Sequence, residues 1–359
     1  MGASVAVMAG GTGGHVFPAL AVANLLREQG MDVFWVGTRK GMEARLVPPQ
    51  GIAMEWITIE GLRGKGLRTL LAAPWRLAVA LREAAAILRR RRPSVVLGMG
   101  GFASGPGGLM ARLLGLPLVI QEQNRVPGLT NRWLARIADR VFEAFPGSFP
   151  MRRGAVSCGN PVRPEIASLQ APAQRMAHRA PPRHLFVLGG SLGARALNDS
   201  VAGAVATLPA ELRPEVLHQA GTLTLDAARA AYAAAGVSAQ VTPFVDDMAA
   251  AYAWADLVVC RAGALTVSEL AAVGLAAILI PYPHAVDDHQ TGNAHYLADA
   301  GAARLLPQSE LTPDSLGALL AELLGDPGRL LAMAEAARGR ARPEAARQIA
   351  AACWEVCRQ

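Results

Sequence analysis

Gly10-Gly11-Thr12-Gly13-Gly14-His15 is the first stretch whose residue types could do chemistry. Glycines at a strand end let the backbone approach a ligand, and the helix that follows offers unpaired N–H groups to an anion. The GxxxxGK[ST] loop is excluded, because the Lys-Ser/Thr ending is missing. GxGxxG is excluded too, since Val16 stands where the third glycine belongs. His15, at the helix start, could act as a base beside a ligand or as a polar cap. Gly189-Gly190-Ser191-Leu192-Gly193-Ala194-Arg195 is the second glycine loop. Its amides and the Ser191 hydroxyl suit a diphosphate, and Arg195 could add charge; a tight turn with a capping serine fits as well.

Three further stretches carry polar groups in suggestive places. Residues 260–269 (CRAGALTVSE) follow an apolar run and are expected to open a helix at Thr266. Arg261 and Glu269 bracket the segment. Glu269 is the kind of carboxylate that accepts two ribose hydroxyl bonds. A capping box, in which Thr266 and Glu269 satisfy each other's backbone amides, is the alternative, and spacing does not separate them. In residues 284–293 (HAVDDHQTGN), Gln290 and Asn293 lie one turn apart on the next expected helix, on a face aimed at the sheet edge. Asp287 and Asp288 have no third carboxylate spaced to help them hold a metal, so a solvated turn is expected. Residues 98–108, with Gln121-Glu122-Gln123-Asn124, put flexible backbone and polar side chains at two more strand ends.

These loops need strands and helices to hold them, and the pattern supplies both. Residues 4–9 (SVAVMA) lead into the first glycine loop and a helical pattern over 19–28. Residues 184–188 (HLFVL) lead into the second and a helical pattern over 197–207. Strand, glycine turn and helix open a nucleotide-binding α/β domain, and their recurrence half a chain apart predicts two such domains. Apolar runs at 33–36, 95–97 and 117–120, then 215–218, 256–260 and 276–281, alternate with helical stretches such as 75–90. This order implies parallel sheets covered on both faces, with ligands at the strand ends. Residues 170–183 read as a boundary loop and 159–163 as the hinge. The expected domains are therefore 1–160 and 161–341. The last helix, 342–357, could pack on either, and packing back on the first is the assignment.

Composition limits the alternatives. The 359 residues are 52% hydrophobic and 18% charged, which excludes wholesale disorder. The net charge is +7, and only Lys40 and Lys65 of the 35 basic residues are lysine. Cys158, Cys260, Cys353 and Cys357 include no CxxC pair, and the seven histidines show no metal-ligand spacing. Residues 4–9 lack a basic lead and a cleavage site, so they are not read as a signal peptide. The longest uncharged stretch, 94–111, holds six glycines and Pro106 and reads as strand plus loop. The expectation is a soluble protein of a reducing compartment. A nicotinamide dehydrogenase would want GxGxxG with an acidic residue about 20 positions on. A nucleic-acid-binding module would account for the charge, but no RNP-like aromatic pattern accompanies it.

Taken together, the motifs resemble the MurG family of bacterial transferases. The resemblance is carried by AGGTGGHVFPALAVA (9–23), EGLRGKGL (60–67), LGMGGFASGPGG (97–108), EQN (122–124), GNPVR (159–163), GGSLGARALN (189–198), FVDDMAAAYAWADLVVCRAGALTVSEL (244–270) and DDHQTGNA (287–294), nearly the whole chain. It implies the GT-B fold, two Rossmann-like parallel-sheet domains with an inter-domain cleft. It also implies an inverting transfer of N-acetylglucosamine from UDP-GlcNAc to the 4-hydroxyl of undecaprenyl-diphospho-MurNAc-pentapeptide (lipid I), making lipid II for peptidoglycan, with no metal or other cofactor.

Carried over by motif, Ser191 and Arg163 would contact the diphosphate, and the Val245 backbone would read uracil. Arg261, Ala264, Leu265, Thr266, Val267, Ser268 and Glu269 would surround ribose and phosphate, with Glu269 holding the ribose and Gln290 the sugar. Thr12, Gly13, Gly14 and Asn124 would complete the donor pocket from the first domain. His15 and Glu122 match catalytic or acceptor-facing positions. Phe102 stands where relatives often carry Tyr, which removes a hydroxyl. The stretch between His284 and Gln290 is one residue longer than in some relatives. UDP-GlcNAc 2-epimerases and glycolipid galactosyltransferases of the same fold would share the donor half and differ at GGHVFPAL and GMGGFASG.

The same resemblance implies a peripheral enzyme at the cytoplasmic face of the inner membrane, with other cell-wall synthesis and division proteins as partners and no nucleic acid. Residues 62–82 suit an anionic membrane surface: Leu67, Leu70, Leu71, Trp75, Leu77 and Leu81 interleave with Arg63, Lys65, Arg68, Arg76 and Arg82. The plainer reading makes at least half of these apolar residues core contacts of a first-domain helix.

Overall fold

Short apolar runs become parallel strands, and each carboxyl end feeds a turn. In the computed structural model, residues 2–59, 73–177, 179–190 and 193–358 are described. The chain forms two units: Met1–Arg163 with Arg342–Gln359, and Pro164–Ala341.

The sheet of the first unit runs β3(Ala53–Trp56)-β2(Asp32–Gly37)-β1(Ser4–Met8)-β4(Val95–Gly98)-β5(Leu118–Glu122)-β6(Arg140–Glu143)-β7(Val156–Ser157), parallel throughout. Side chains alternate across a strand. Val5, Val7, Trp35, Val95 and Leu97 therefore share one core with helices Gly13–Glu28 and Ala345–Cys357, which contribute Leu26, Ile349 and Cys353. Ala6, Met8, Phe34, Val36 and Val96 face the other core, under helices Ala73–Arg91, Ser104–Leu113 and Leu129–Leu134. Both faces being covered explains why the inner strands read as unbroken apolar runs. The last helix belongs to this unit, and its Trp354 Nε1 donates to Gln29 Oε1 at 2.8 Å.

The second sheet runs β10(Gln240–Thr242)-β9(Glu215–Gln219)-β8(His184–Leu188)-β11(Leu257–Cys260)-β12(Ala276–Leu279)-β13(Ala303–Leu305), again all parallel. Leu185, Val187, Val216, Leu257 and Val259 pack with Leu197, Val201, Tyr232, Leu316 and Leu320 of the covering helices. On the opposite face Phe186 meets Tyr252 edge-on, centroids 5.9 Å apart.

In each sheet the chain leaves the first strand in one direction and later returns on its other side. The reversals lie between β1 and β4 and between β8 and β11. The turns leaving neighbouring strands there diverge and open a crevice, the usual ligand position in such sheets.

Candidate functional site

At the first reversal three loops meet, from β1, β4 and β5. Gly11 has φ +92°, and its N–H donates to Glu43 Oε2 at 3.0 Å. Glu43 is fully buried and also accepts from Thr38 N (2.9 Å) and Thr38 Oγ1 (2.8 Å). A Cβ on Gly10, Gly37 or Gly41 would come within 2.8 Å of this side chain. Sequence reasoning missed Glu43. The glycines around it were the only signal, and their common neighbour emerges only in the fold.

The helix after the loop starts at Gly13, six residues before the apolar periodicity expected at 19, because the Thr12 carbonyl accepts from His15 N and Val16 N. Thr12 is extended and exposed, and its hydroxyl makes no capping bond. The amides of Gly13 and Gly14 lie in the first turn, where helix geometry leaves N–H groups without intrahelical partners. His15 is half-buried and does not cap the helix; its Nδ1 lies 2.9 Å from Gln123 Oε1, just beyond β5. The loop after β4 closes tightly on this assembly. A Cβ on Gly100 would be 2.6 Å from His15 Nδ1, and one on Gly101 would be 2.2 Å from the Gly10 carbonyl oxygen. Both residues have positive φ, and Ser104 Oγ ties the loop to the Met8 and Gly100 carbonyls. Phe102 is exposed.

Glu122 is almost completely buried. Its Oε1 accepts from Asn124 N (2.9 Å) and Nδ2 (3.3 Å), and its Oε2 from Gly128 N (3.1 Å) and Asn131 Nδ2 (2.9 Å). Four donors occupy this carboxylate, so it shapes the turn that presents Asn124. Arg163 lies over the Phe17 ring, 5.3 Å from its centroid, and Phe17 packs on Gly13.

At the second reversal the loop after β8 carries positive φ at Gly190 and Gly193. A Cβ on Gly193 would be 2.4 Å from both the Ala220 carbonyl oxygen and Thr224 Oγ1. Ser191 lies outside the described residues. Helix Arg195–Ala206 follows, and Arg195 is exposed with its Nε 3.5 Å from Asp199. Val245 N donates to the buried Gln219 Oε1 at 3.0 Å. Val245 and Phe244 also line a groove of about 740 Å³ with Leu217, Thr242 and Trp254.

Beyond β11 the helix begins at Ala264, two residues earlier than the expected Thr266, with Gly263 as its N-cap and no side-chain cap bond. The capping box between Thr266 and Glu269 is therefore not formed. Glu269 sits a turn and a half into the helix, buried, with Tyr252 Oη donating to its Oε2 at 3.0 Å. Val267 is fully buried and its N–H donates to the Gly263 carbonyl at 2.9 Å, whereas Leu265, Thr266 and Ser268 are half-buried and Ser268 Oγ bonds the Ala264 carbonyl. Arg261 turns inward. It donates to the Ile280 and Pro281 carbonyls (3.2 Å each) and to Gln308 Oε1 (2.6 Å), and burial lowers its pKa. It braces the turn after β12, which departs from the ligand-facing role carried over for it.

Gln290 and Asn293 both lie on helix His289–Ala298 and turn toward neighbouring loops. Gln290 Oε1 accepts from Tyr282 N (2.9 Å), and Asn293 Nδ2 donates to the Ala262 carbonyl (3.2 Å). Asp287 and Asp288 both have positive φ, an uncommon conformation for these residue types that accumulates at ligand sites. Among the described residues no group of three or more His, Cys, Asp or Glu could hold a metal ion.

Both units resemble known proteins. Residues 5–143 match the glycosyltransferase family 28 N-terminal domain, and residues 184–349 match the C-terminal domain of the same family. The chain is 56% identical over 356 residues to the UDP-N-acetylglucosamine–N-acetylmuramyl-(pentapeptide) pyrophosphoryl-undecaprenol N-acetylglucosamine transferase of Nitrosococcus oceani, covering 99% of each. It is 57% identical over 354 residues to the protein of that name from Alkalilimnicola ehrlichii, again covering 99% of each. The crystal structure of Acinetobacter baumannii MurG superposes with a TM-score of 0.85 at 43% identity, covering 98% of this chain and 99% of that one.

Proposed function

The chain belongs to glycosyltransferase family 28, and from that premise we propose that it transfers N-acetylglucosamine from UDP-GlcNAc to the 4-hydroxyl of lipid I with inversion, forming lipid II. The carrying observation is the 56–57% identity, over 99% of the chain, with transferases named for that reaction. An inverting displacement sets two tasks: a base must take the hydroxyl proton, and the charge growing on UDP must be stabilised. His15, at the β1–β4 reversal, is the base. Glu122 acts indirectly, by holding the Asn124 turn. In the second unit Val245 reads the base, Glu269 holds the ribose and Gln290 meets the sugar. Ser191, Arg163 and the amides opening helix Arg195–Ala206 take the diphosphate, since a helix N-terminus favours negative charge. Thr12, Gly13, Gly14 and Asn124 are assigned to the donor as well, with Ala264, Leu265, Thr266, Val267 and Ser268 lining ribose and phosphate.

The lipid acceptor calls for a membrane surface, and we assign that to the first unit, peripheral on the cytoplasmic face of the inner membrane. Among the described residues no helix is long and apolar enough to cross a membrane. Part of the expected surface, 62–72, includes residues outside those described. Helix Ala73–Arg91 buries Ala80, Ala84, Ile87 and Leu88 but leaves Trp75 73% exposed and Leu77 46% exposed, so these two are not core contacts. Its neighbour Ser104–Leu113 exposes Leu109 and Leu113, and the next helix, Leu129–Leu134, exposes Leu129 and Trp133. Arg76, Arg112, Arg132 and Arg136 stand among them, a mixture suited to anionic headgroups. The test is to incubate the purified protein with UDP-GlcNAc and a lipid I analogue. Sugar transfer with release of UDP is expected, and epimerisation or hydrolysis of UDP-GlcNAc without transfer would overturn the reading.

A further inference from the structure

We propose that Gln123 is a positioning residue that fixes neutral His15 as the Nδ1–H tautomer, leaving the lone pair on Nε2 to accept the proton. The kinetic consequence rests on His15 being the base; the tautomer does not.

The argument is one of donors and acceptors. Gln123 Nε2 donates to the Met99 carbonyl at 2.8 Å and to Gln121 Oε1 at 2.6 Å. Gln121 Oε1 must accept, because Gln121 Nε2 is directed to Asn160 Oδ1 at 2.9 Å and to the Glu122 carbonyl at 3.1 Å. Asn160 is oriented in turn by its Nδ2, which donates to the Gln123 carbonyl at 3.1 Å. All three amides are at most 2% exposed, so no water could repair an inverted one. Turning Gln123 over would set its oxygen against two acceptors, which a buried network does not tolerate. Gln123 Oε1 therefore faces His15 Nδ1 at 2.9 Å as an acceptor, and only a protonated Nδ1 satisfies it. The hydrogen bond at one ring nitrogen sets the state of the other.

In the transfer, the acceptor hydroxyl gives its proton to Nε2. Its oxygen pair forms the bond to the anomeric carbon as the bond from that carbon to the UDP oxygen breaks, its pair leaving with UDP. The Nδ1–H bond to Gln123 persists throughout and becomes charge-assisted once the ring is imidazolium. Two uncharged groups lie against the ring, Gln123 beyond β5 and the Gly100 backbone beyond β4. The carboxylates of the adjoining loops point elsewhere, Glu43 to Gly11 and Thr38, and Glu122 to Asn124, Gly128 and Asn131. Arg163 lies over Phe17. An amide thus orients the ring without the coulombic pull toward imidazolium that a carboxylate in its place would exert.

The direct test is nitrogen NMR of the full-length protein with ring-labelled histidine, using His15→Ala to identify the His15 signals. Neutral His15 should show a pyrrole-type Nδ1 and a pyridine-type Nε2, and the reverse assignment overturns the proposal. In Gln123→Met, uncharged and close in size, the acceptor is gone and both tautomers should be populated; a pure Nδ1–H form retained there also overturns it. Gln123→Glu should move the acid limb of the kcat/KM profile for the lipid acceptor upward by about one pH unit or more, with the KM for UDP-GlcNAc unchanged. A uniform loss of rate with the limb in place would reduce Gln123 to packing. Near-normal turnover of His15→Ala, with the Nδ1–H tautomer found in the wild type, would remove the base reading and support the positioning.

Discussion

Replacing Glu269 with alanine tests the donor site, because the carboxylate has two calls on it that separate experimentally. It accepts the Tyr252 hydroxyl at 3.0 Å, with both side chains buried, and it is assigned the ribose hydroxyls. Loss of a charge-assisted pair to the ribose should cost about 1.5–3 kcal/mol, roughly 10- to 100-fold in UDP affinity. The same change removes the bond that the buried Tyr252 hydroxyl makes to Glu269, at about 1–3 kcal/mol of stability. For a unit of this size that is about 2–4 °C of Tm per kcal/mol. Binding is therefore measured by calorimetry well below the lowered transition. Tyr252→Phe in the Glu269→Ala background removes the hydroxyl that lost this bond and should recover part of the Tm and none of the affinity. Ligand chemistry completes the cycle: the wild type should prefer UDP over its 2′-deoxy analogue by about tenfold, and Glu269→Ala should scarcely distinguish them. A variant that melts early yet binds UDP normally would show that Glu269 serves the fold and not the nucleotide, and the ribose assignment would fall.

His15→Ala should lower kcat by roughly 10²- to 10⁴-fold with little change in UDP binding, measured as steady-state transfer, and near-normal turnover would refute the role. Five basic groups in 62–82, at about 1 kcal/mol each, bound the electrostatic docking to anionic vesicles at roughly 5 kcal/mol. Co-sedimentation should then weaken as salt rises and weaken further in Arg68→Glu/Arg76→Glu; equal binding to neutral vesicles would refute it. Burial pushes His218 down to about 4, below its ordinary value of about 6.5, so the unfolded chain binds the extra proton first. Its contribution is complete above about pH 6.5 and falls by about 1.4 kcal/mol per pH unit as the pH drops toward 4. Urea titrations of His218→Gln should show a shallower acid slope in that window, and an unchanged slope would refute the assignment. Burial also pushes Cys158 and Cys260 up to about 12, so alkylation at neutral pH should reach them only on unfolding, and rapid native labelling would contradict their burial.

The strands nearest the two reversals were legible because burial on both faces forces continuous apolar runs, as in SVAVM, VVLG, HLFVL and LVVC. The outer strands β3, β6, β7, β10 and β13 escaped the same reading, being two to four residues long and mixed in polarity. Glu55 of β3 shows why: it sits beside Arg90 and Arg91 rather than in a core. Helix starts slipped for a related reason. Periodicity marks where a helix buries its face, whereas Gly13 and Ala264 begin helices through backbone bonding in turns that bury little. The expected loop at 170–183 contains the short helix Pro172–Met176, and Arg175 there donates to the Val273 and Gly274 carbonyls, partners almost a hundred residues away.

The site divides along the same line. Residue types that could meet a ligand were readable from glycines and polar groups after strands, which is how His15, Glu269 and Gln290 became candidates. Whether such a group is free to act depends on which neighbour the fold brings to it. Glu122 and Arg261 have the types a ligand site wants, yet the fold directs one to four donors of its own turn and the other to two carbonyls and Gln308. Glu43 is the converse case. It lies in a short helix that the sequence did not single out, yet Gly10, Gly37 and Gly41 make room for it and Gly11 donates to it. A buried carboxyl group of this kind persists only when its bonds are made by groups already fixed in place. The rigidity of the first glycine loop is thus set by a side chain about thirty residues away, and no local pattern at 10–15 could have disclosed it.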